Sequence, residues 1–127
     1  MYKVLVCDDE KDIVSAISIY LTSDGYEVIP ARNGLEALDI VKHNDVHLVL
    51  MDIMMPEMNG YEATKAIRAM HDRPDGKNIP IIAMTANSFV EDIQASLDAG
   101  MNAHLSKPIV IDEVIKTILR HVHFDKE

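Results

Sequence analysis

Hydrophobic positions along the chain keep two alternating rhythms. Short, nearly continuous apolar or β-branched runs occupy residues 3–7, 27–31, 46–52, 79–85 and 103–107. Between them the apolar spacing becomes helical. In the first such stretch Ile13, Ala16, Ile17, Tyr20 and Leu21 follow i, i+3, i+4, i+7, i+8, and Gly25 supplies a stop. The second opens at Asn33-Gly34 and carries Leu35, Leu38 and Val41; the third follows Asn59-Gly60 with Ala63, Ile67 and Met70. The fourth opens on Ser88-Phe89-Val90-Glu91, a capping-box pattern, and ends at Gly100. The fifth carries Val114, Ile115, Ile118, Leu119 and Val122. Five strands alternating with five helices predict β-α crossovers and a doubly wound α/β fold with a parallel sheet. The runs at 46–52 and 79–85 have the unbroken apolar character of central strands buried on both faces. The run at 103–107 is weaker and suits an edge. The polar, turn-rich stretch HDRPDGKN at 71–78 is the best place for an insertion.

In an open α/β sheet, chemistry collects beyond the carboxyl ends of the strands. The first strand delivers Asp8, Asp9 and Glu10, the third Asp52, the fourth Thr85-Ala86, and the fifth Ser106-Lys107-Pro108. The second supplies nothing comparable. Asp52 stands in the run VLMDIMM, where an ionised carboxylate is unfavourable unless paired; Pro56 and then Asn59-Gly60 turn the chain away after it. Several carboxylates on one edge repel, and one is driven toward protonation unless a cation intervenes. Lys107 is one candidate cation. A hard divalent ion such as magnesium (Mg2+), which prefers carboxylate, carbonyl and water oxygens, is the other. Carboxylates, a hydroxyl, a lysine and Mg2+ make up a set suited to phosphoryl transfer, with Asp52 as the candidate nucleophile.

Charge and composition sharpen this picture. Twelve basic against 21 acidic residues give a net charge of −9, which argues against direct nucleic-acid binding and anionic membrane surfaces but leaves room for a neutralising metal ion, which an acid-rich cleft would favour. The 127 residues suit one domain spanning 1–127. With one cysteine, no signal peptide and no apolar run near membrane-span length, the expectation is a cytoplasmic protein without membrane insertion. Cys7, inside a strand, is read as a small buried hydrophobe. Met51, Met54 and Met55 are read as packing residues, with the Met54 side chain and Asn87 also placed to tune access to Asp52. His121 and His123 lie two apart near the chain end, a poor spacing for joint metal ligation on one helix. Asp8 and Asp9 also suit capping of the first helix, a role compatible with metal binding.

The stretches DDE at 8–10, MDIMMPEMNG at 51–60, MTA at 84–86 and SKP at 106–108, each at a strand end and in this order, resemble the receiver domain of two-component response regulators. The resemblance covers nearly all of the chain. It implies a flavodoxin-like five-stranded sheet of order 2-1-3-4-5. It implies that Asp52 accepts the phosphoryl group, that Asp9 binds Mg2+ directly and Asp8 through water, and that the Met54 carbonyl completes the protein's share of the coordination. Thr85 matches the switch hydroxyl and Lys107 the lysine that pairs with phosphoryl oxygens; Lys107-Pro108 matches a peptide bond usually cis in this family. Such a domain assists its own phosphorylation and slow dephosphorylation and is no conventional turnover enzyme. The expected partner is a sensor histidine kinase or a histidine phosphotransfer domain, docking on Ile13 and Val14 of the first helix and on Pro108-Ile109. A monomer or a weak phosphorylation-dependent dimer is expected.

Two positions depart from the pattern. Where the family often has Tyr or Phe as a second switch residue, three before the lysine, this chain has His104. The turn before the fifth strand, Gly100-Met101-Asn102-Ala103, lacks the acidic pair that winged-helix regulators use in an ionic dimer. The first half of the chain resembles free-standing regulators, and MTANSFVEDIQASLDAGMNAHLSKPI resembles receivers fused to hybrid histidine kinases. No output domain follows Glu127, so a stand-alone receiver and one excised from a hybrid kinase, working as a phosphorelay intermediate, both stand as expectations. An aspartyl phosphatase would share the residue set but places its nucleophile in a D-x-D pattern after the first strand, where this chain has Asp8-Asp9-Glu10. A pseudo-receiver would lack a key residue, and none is missing.

Overall fold

The computed structural model describes residues 2–55, 57–70, 76, 78–86 and 90–121; for Val90, Glu91 and Asp92 only the backbone is described. Pro56, Asn87, the capping side chains expected at Ser88 and Glu91, Val122, His123 and most of the 71–78 stretch lie outside the described residues.

Along the chain run β1 (Lys3–Cys7), α1 (Lys11–Ser23), β2 (Glu27–Ala31), α2 (Gly34–His43), β3 (Leu48–Asp52), α3 (Gly60–Arg68), β4 (Ile81–Thr85), α4 (Val90–Ala99), β5 (Ala103–Ser106) and α5 (Ile111–His121). Among the described residues the strands form one parallel sheet of order β2-β1-β3-β4-β5. Alternation along each strand divides the core into two layers. Val4 and Val6 of β1, with Leu48, Leu50, Ile82 and Met84, pack against Ile17 and Leu21 of α1 and Val114 and Ile118 of α5. Leu5 and Cys7, with Val49, Met51, Ile81 and Ala83, pack against Ala37 and Val41 of α2 and Ala63 and Ile67 of α3. Fully burying one such Leu or Ile contributes roughly 1.5–3 kcal/mol. β3 and β4 are buried along their whole length, and β5 forms an edge with only Leu105 buried.

The apolar runs overshoot the strands. β3 begins at Leu48 rather than 46: Val46 is buried, but as part of the loop. β4 begins at Ile81 rather than 79, because Pro80 has no N–H to donate to a ladder. β5 ends at Ser106, after which the Lys107–Pro108 peptide bond is cis. The helical stripes are also narrower than the apolar spacing suggests. Tyr20, Leu35 and Leu119 are exposed, as is Ala16. A helix lying on a sheet buries about one residue per turn in full, and flanking apolar residues are free to face solvent.

One side chain joins several segments. Arg68, at the end of α3, donates to the carbonyls of Gly76, Ile79 and Gly100 and to Asn102 Oδ1, at 2.7–3.0 Å. Asn102 Oδ1 also accepts from the Ile81 N–H at 2.9 Å, and the Asn102 N–H donates to the Ile81 carbonyl at 2.8 Å. Nothing in the spacing of α3 marked this arginine out; on sequence it is an ordinary solvated residue of an amphipathic helix.

Candidate functional site

The parallel register sets Cys7 beside Met51, so Asp8 and Asp52 leave the sheet side by side. Asp52 lies opposite Met84, and Thr85 follows at the end of β4. The Lys107 N–H donates to the Thr85 carbonyl at 2.8 Å, which carries β5 to the same edge. Asp8 is 1% exposed, Asp52 2% and Thr85 4%, whereas Asp9 faces solvent. Oxygens of Asp8, Asp9 and Asp52 lie within 4.8 Å of one another. Lys107 Nζ sits among the acids, 3.0 Å from Asp8 Oδ2, 3.2 Å from Glu10 Oε1 and 3.5 Å from Asp52 Oδ1.

Backbone groups hold the carboxylates in place. The Glu10 N–H donates to Asp8 Oδ1 at 2.9 Å, and the Met54 N–H donates to Asp52 Oδ1 at 3.2 Å. Glu10 occupies the N-cap position of α1 without a side-chain cap bond; its carboxylate is turned to Lys107 instead. This third acid of DDE is a site residue whose part was hidden in the sequence, since spacing alone does not say which way it turns.

The end of β3 is also braced from α3. Asn59 caps the helix: its Oδ1 accepts from the Glu62 N–H while Glu62 Oε1 accepts from the Asn59 N–H, a reciprocal box in which the cap is worth about 1 kcal/mol. The Gly60 N–H donates to the Ile53 carbonyl at 3.3 Å. A Cβ on Gly60 would fall 2.5 Å from the Asp52 carbonyl oxygen, so the glycine brings the helix start up against the acid's backbone. Beyond Asp52, Met54 is 73% exposed, and Met55 turns inward with its Sδ 3.4 Å from Cys7 Sγ. The Cys7 thiol also donates to the Asn33 carbonyl at 3.2 Å.

Excess negative charge at the site favours bound protons and cations. Burial, then the neighbouring Asp8 charge, pushes the Asp52 carboxyl up from 3.8 to about 6, although the Met54 N–H and Lys107 pull the other way. For Lys107, burial favours loss of the proton, but Asp8, Asp52 and Glu10 outweigh it and the net direction is up. The Cys7 thiol is pushed to about 12, first by burial and then by the adjacent acids, so it is no nucleophile at neutral pH. Asp8 Oδ2 is buried, with the Lys107 ammonium 3.0 Å away. Four formal carboxylates around one ammonium leave uncompensated negative charge on oxygen donors, which fits a hard divalent cation.

The remaining sequence-predicted positions separate into two surfaces. Ile13, Pro108 and Ile109 line one groove of about 560 Å³ between α1 and the chain entering α5, together with Ile17 and Ile111. Val14 is not part of it; it faces a different groove on the other flank of α1, beside Lys11, Pro30 and Arg32. Consecutive helix residues point about 100° apart, which divides the pair. His104 pairs with Ala83 in the β4–β5 register, is half-buried and lines a shallow cavity with Val110 and Glu113. His121 Nδ1 lies 2.8 Å from the Thr117 carbonyl of its own helix.

Known proteins resemble this chain over most of its length. The family model of the response regulator receiver domain matches residues 4–119. The chain is 39% identical over 130 residues to hybrid signal transduction histidine kinase B of Dictyostelium discoideum, covering 95% of this chain and 7% of that kinase. It is 36% identical over 115 residues to the polar-differentiation response regulator DivK of Brucella anthropi, covering 91% of each. The receiver domain of a sensor histidine kinase from Pseudomonas aeruginosa, crystallised with a magnesium ion coordinated in its active-site cleft, superposes with a TM-score of 0.85 at 33% identity, over 94% of this chain and 96% of that one. With the sheet order and the acidic strand ends already in place, these matches make the chain a member of the response regulator receiver domain family of two-component signalling.

Proposed function

We propose that Asp52 accepts a phosphoryl group from a phosphohistidine and that the modified carboxylate switches the domain. The observation that carries this reading is the buried Asp8–Asp52 pair with Lys107 Nζ 3.0 and 3.5 Å away and Asp9 alongside. An Asp52 oxygen attacks phosphorus in line, the P–N bond to the partner's imidazole breaks, and the product is an acyl phosphate. Lys107 neutralises phosphoryl oxygens, and Thr85 donates a hydrogen bond from the end of β4. Asp8, Asp9, Asp52 and the Met54 carbonyl would hold Mg2+, which when bound supplies charge neutralisation to the transferring group. Phosphorylation then biases a two-state equilibrium of the Thr85 loop, with His104 on the adjoining strand in place of the usual aromatic residue.

Receiver domains work with histidine kinases or phosphotransfer proteins. The apolar groove of Ile13, Pro108 and Ile109 beside Lys107 is the docking surface this reading favours, and no helix among the described residues is long and apolar enough to cross a membrane. The likeness to a hybrid kinase favours onward transfer to a second histidine as the alternative fate of the phosphoryl group. Acetyl phosphate is the test. Wild-type protein should take up about one phosphoryl group per chain only with Mg2+ present, and Asp52→Asn should take up none. Mg2+-dependent labelling that persists in Asp52→Asn overturns the assignment.

A further inference from the structure

Met54 combines features that no other described methionine shares. The residue is 73% exposed, whereas Met51, Met84 and Met101 are buried and Met55, Met58 and Met70 are half-buried. It stands two residues past Asp52, and its N–H donates to Asp52 Oδ1 at 3.2 Å. The next thioether, Met55, is turned inward against Cys7, and Cys7, the chain's single thiol, is fully buried. Among the described methionines, Met54 is therefore the one most open to an oxidant diffusing from solvent, and its backbone N–H binds the Asp52 carboxylate.

We propose that Met54 is a redox-modification site whose oxidation shortens the life of the phosphoryl group on Asp52. The co-reactant is hydrogen peroxide. A sulfur lone pair attacks one peroxide oxygen, the O–O bond breaks, and proton transfer releases the other oxygen as water. The thioether is oxidised to a sulfoxide and the peroxide is reduced. The exposed position accommodates the product without removing a core contact, unlike oxidation at Met51 or Met84. A thioether is a weak hydrogen-bond acceptor and leaves nearby water unaligned. A sulfoxide oxygen is a strong acceptor and holds a water beside the acyl phosphate, where it attacks phosphorus as the bond to the Asp52 oxygen breaks, leaving inorganic phosphate and the free carboxylate. The inference rests on the phosphoacceptor reading of Asp52 given above.

The full chain is labelled with acetyl phosphate and Mg2+, freed of donor, and followed with and without prior treatment in dilute hydrogen peroxide; peptide mass mapping locates the sulfoxide. The first sulfoxide should appear at Met54, and the phosphoryl half-life should shorten severalfold. Methionine sulfoxide reductase should restore it. Met54→Leu should show no change in half-life on peroxide treatment. Met54→Gln, carrying a permanent amide acceptor, should lose its phosphoryl group faster than Met54→Leu without any peroxide. A first sulfoxide at another methionine, or an unchanged or longer half-life once Met54 is oxidised, overturns the proposal. Failure of the untreated wild-type chain to label at all is a different result: it overturns the phosphoacceptor reading, and the redox inference falls with it.

Discussion

Asp52 is a carboxylate that the fold holds against its own preference. Its pKa lies near 6 in the folded chain against an ordinary 3.8, because burial and the Asp8 charge outweigh the help of Met54 and Lys107. A carboxyl raised in this way favours the folded state in its protonated form. That contribution is whole below about pH 4 and is lost as pH rises through about 6. In metal-free protein, the stability of wild type relative to Asp52→Asn should therefore fall between pH 4 and pH 7. The rise from 3.8 to about 6 sets a ceiling on the order of 2–3 kcal/mol. Urea denaturation at stepped pH measures it, and a difference that stays constant across the range contradicts it. Added Mg2+ at pH 7 should raise the wild-type melting temperature, since any cation bound only by the folded site stabilises it by mass action. The site's acids were legible in the sequence for a simple reason: each stands at the end of an apolar run, where a charge has no packing role. The pairing of Glu10 with Lys107 and the junction made by Arg68 were not, because both depend on side-chain direction, which spacing does not encode.

At the scale of elements, α3 and β3 meet at one point. Alanine normally favours a helix over glycine by up to about 1 kcal/mol. At Gly60 the sign should reverse, since the new Cβ would lie 2.5 Å from the Asp52 carbonyl oxygen and 2.8 Å from Ile53 Cα, both backbone atoms with little room to give. Gly60→Ala is expected to destabilise the protein by about 1–3 kcal/mol and to slow labelling of Asp52 by displacing it. Denaturation midpoints check the first expectation and acetyl phosphate kinetics the second. A neutral or stabilising effect would mean that the two elements are not in contact as described. Which segments are helices and which are strands followed from hydrophobic period, and the ends of elements did not. Pro80 cuts β4 short, and the Asn59–Glu62 box fixes where α3 begins. Both are decided by hydrogen-bonding capacity rather than by polarity.

Across the molecule, the alternation of strand and helix was enough to predict a parallel sheet, because a parallel crossover requires an intervening element. The strand order rested on family resemblance and is the order observed. The division of Ile13 and Val14 between two grooves, and the inward commitment of the Gly100–Asn102 turn, required coordinates. That turn lacks the acids of an ionic dimer face, and Arg68 binds its polar groups internally. The Arg68 junction also bears on how the domain opens. One guanidinium bonds the carbonyls that lead into β4 and the turn that leads into β5, so these segments cannot detach one at a time without stranding a partly buried cation. In native-state hydrogen exchange the Ile81 and Asn102 amides should then exchange with a single free energy, as one cooperative unit. Replacing Arg68 with Ala should split them, letting the turn before β5 fray while the centre of the sheet stays closed.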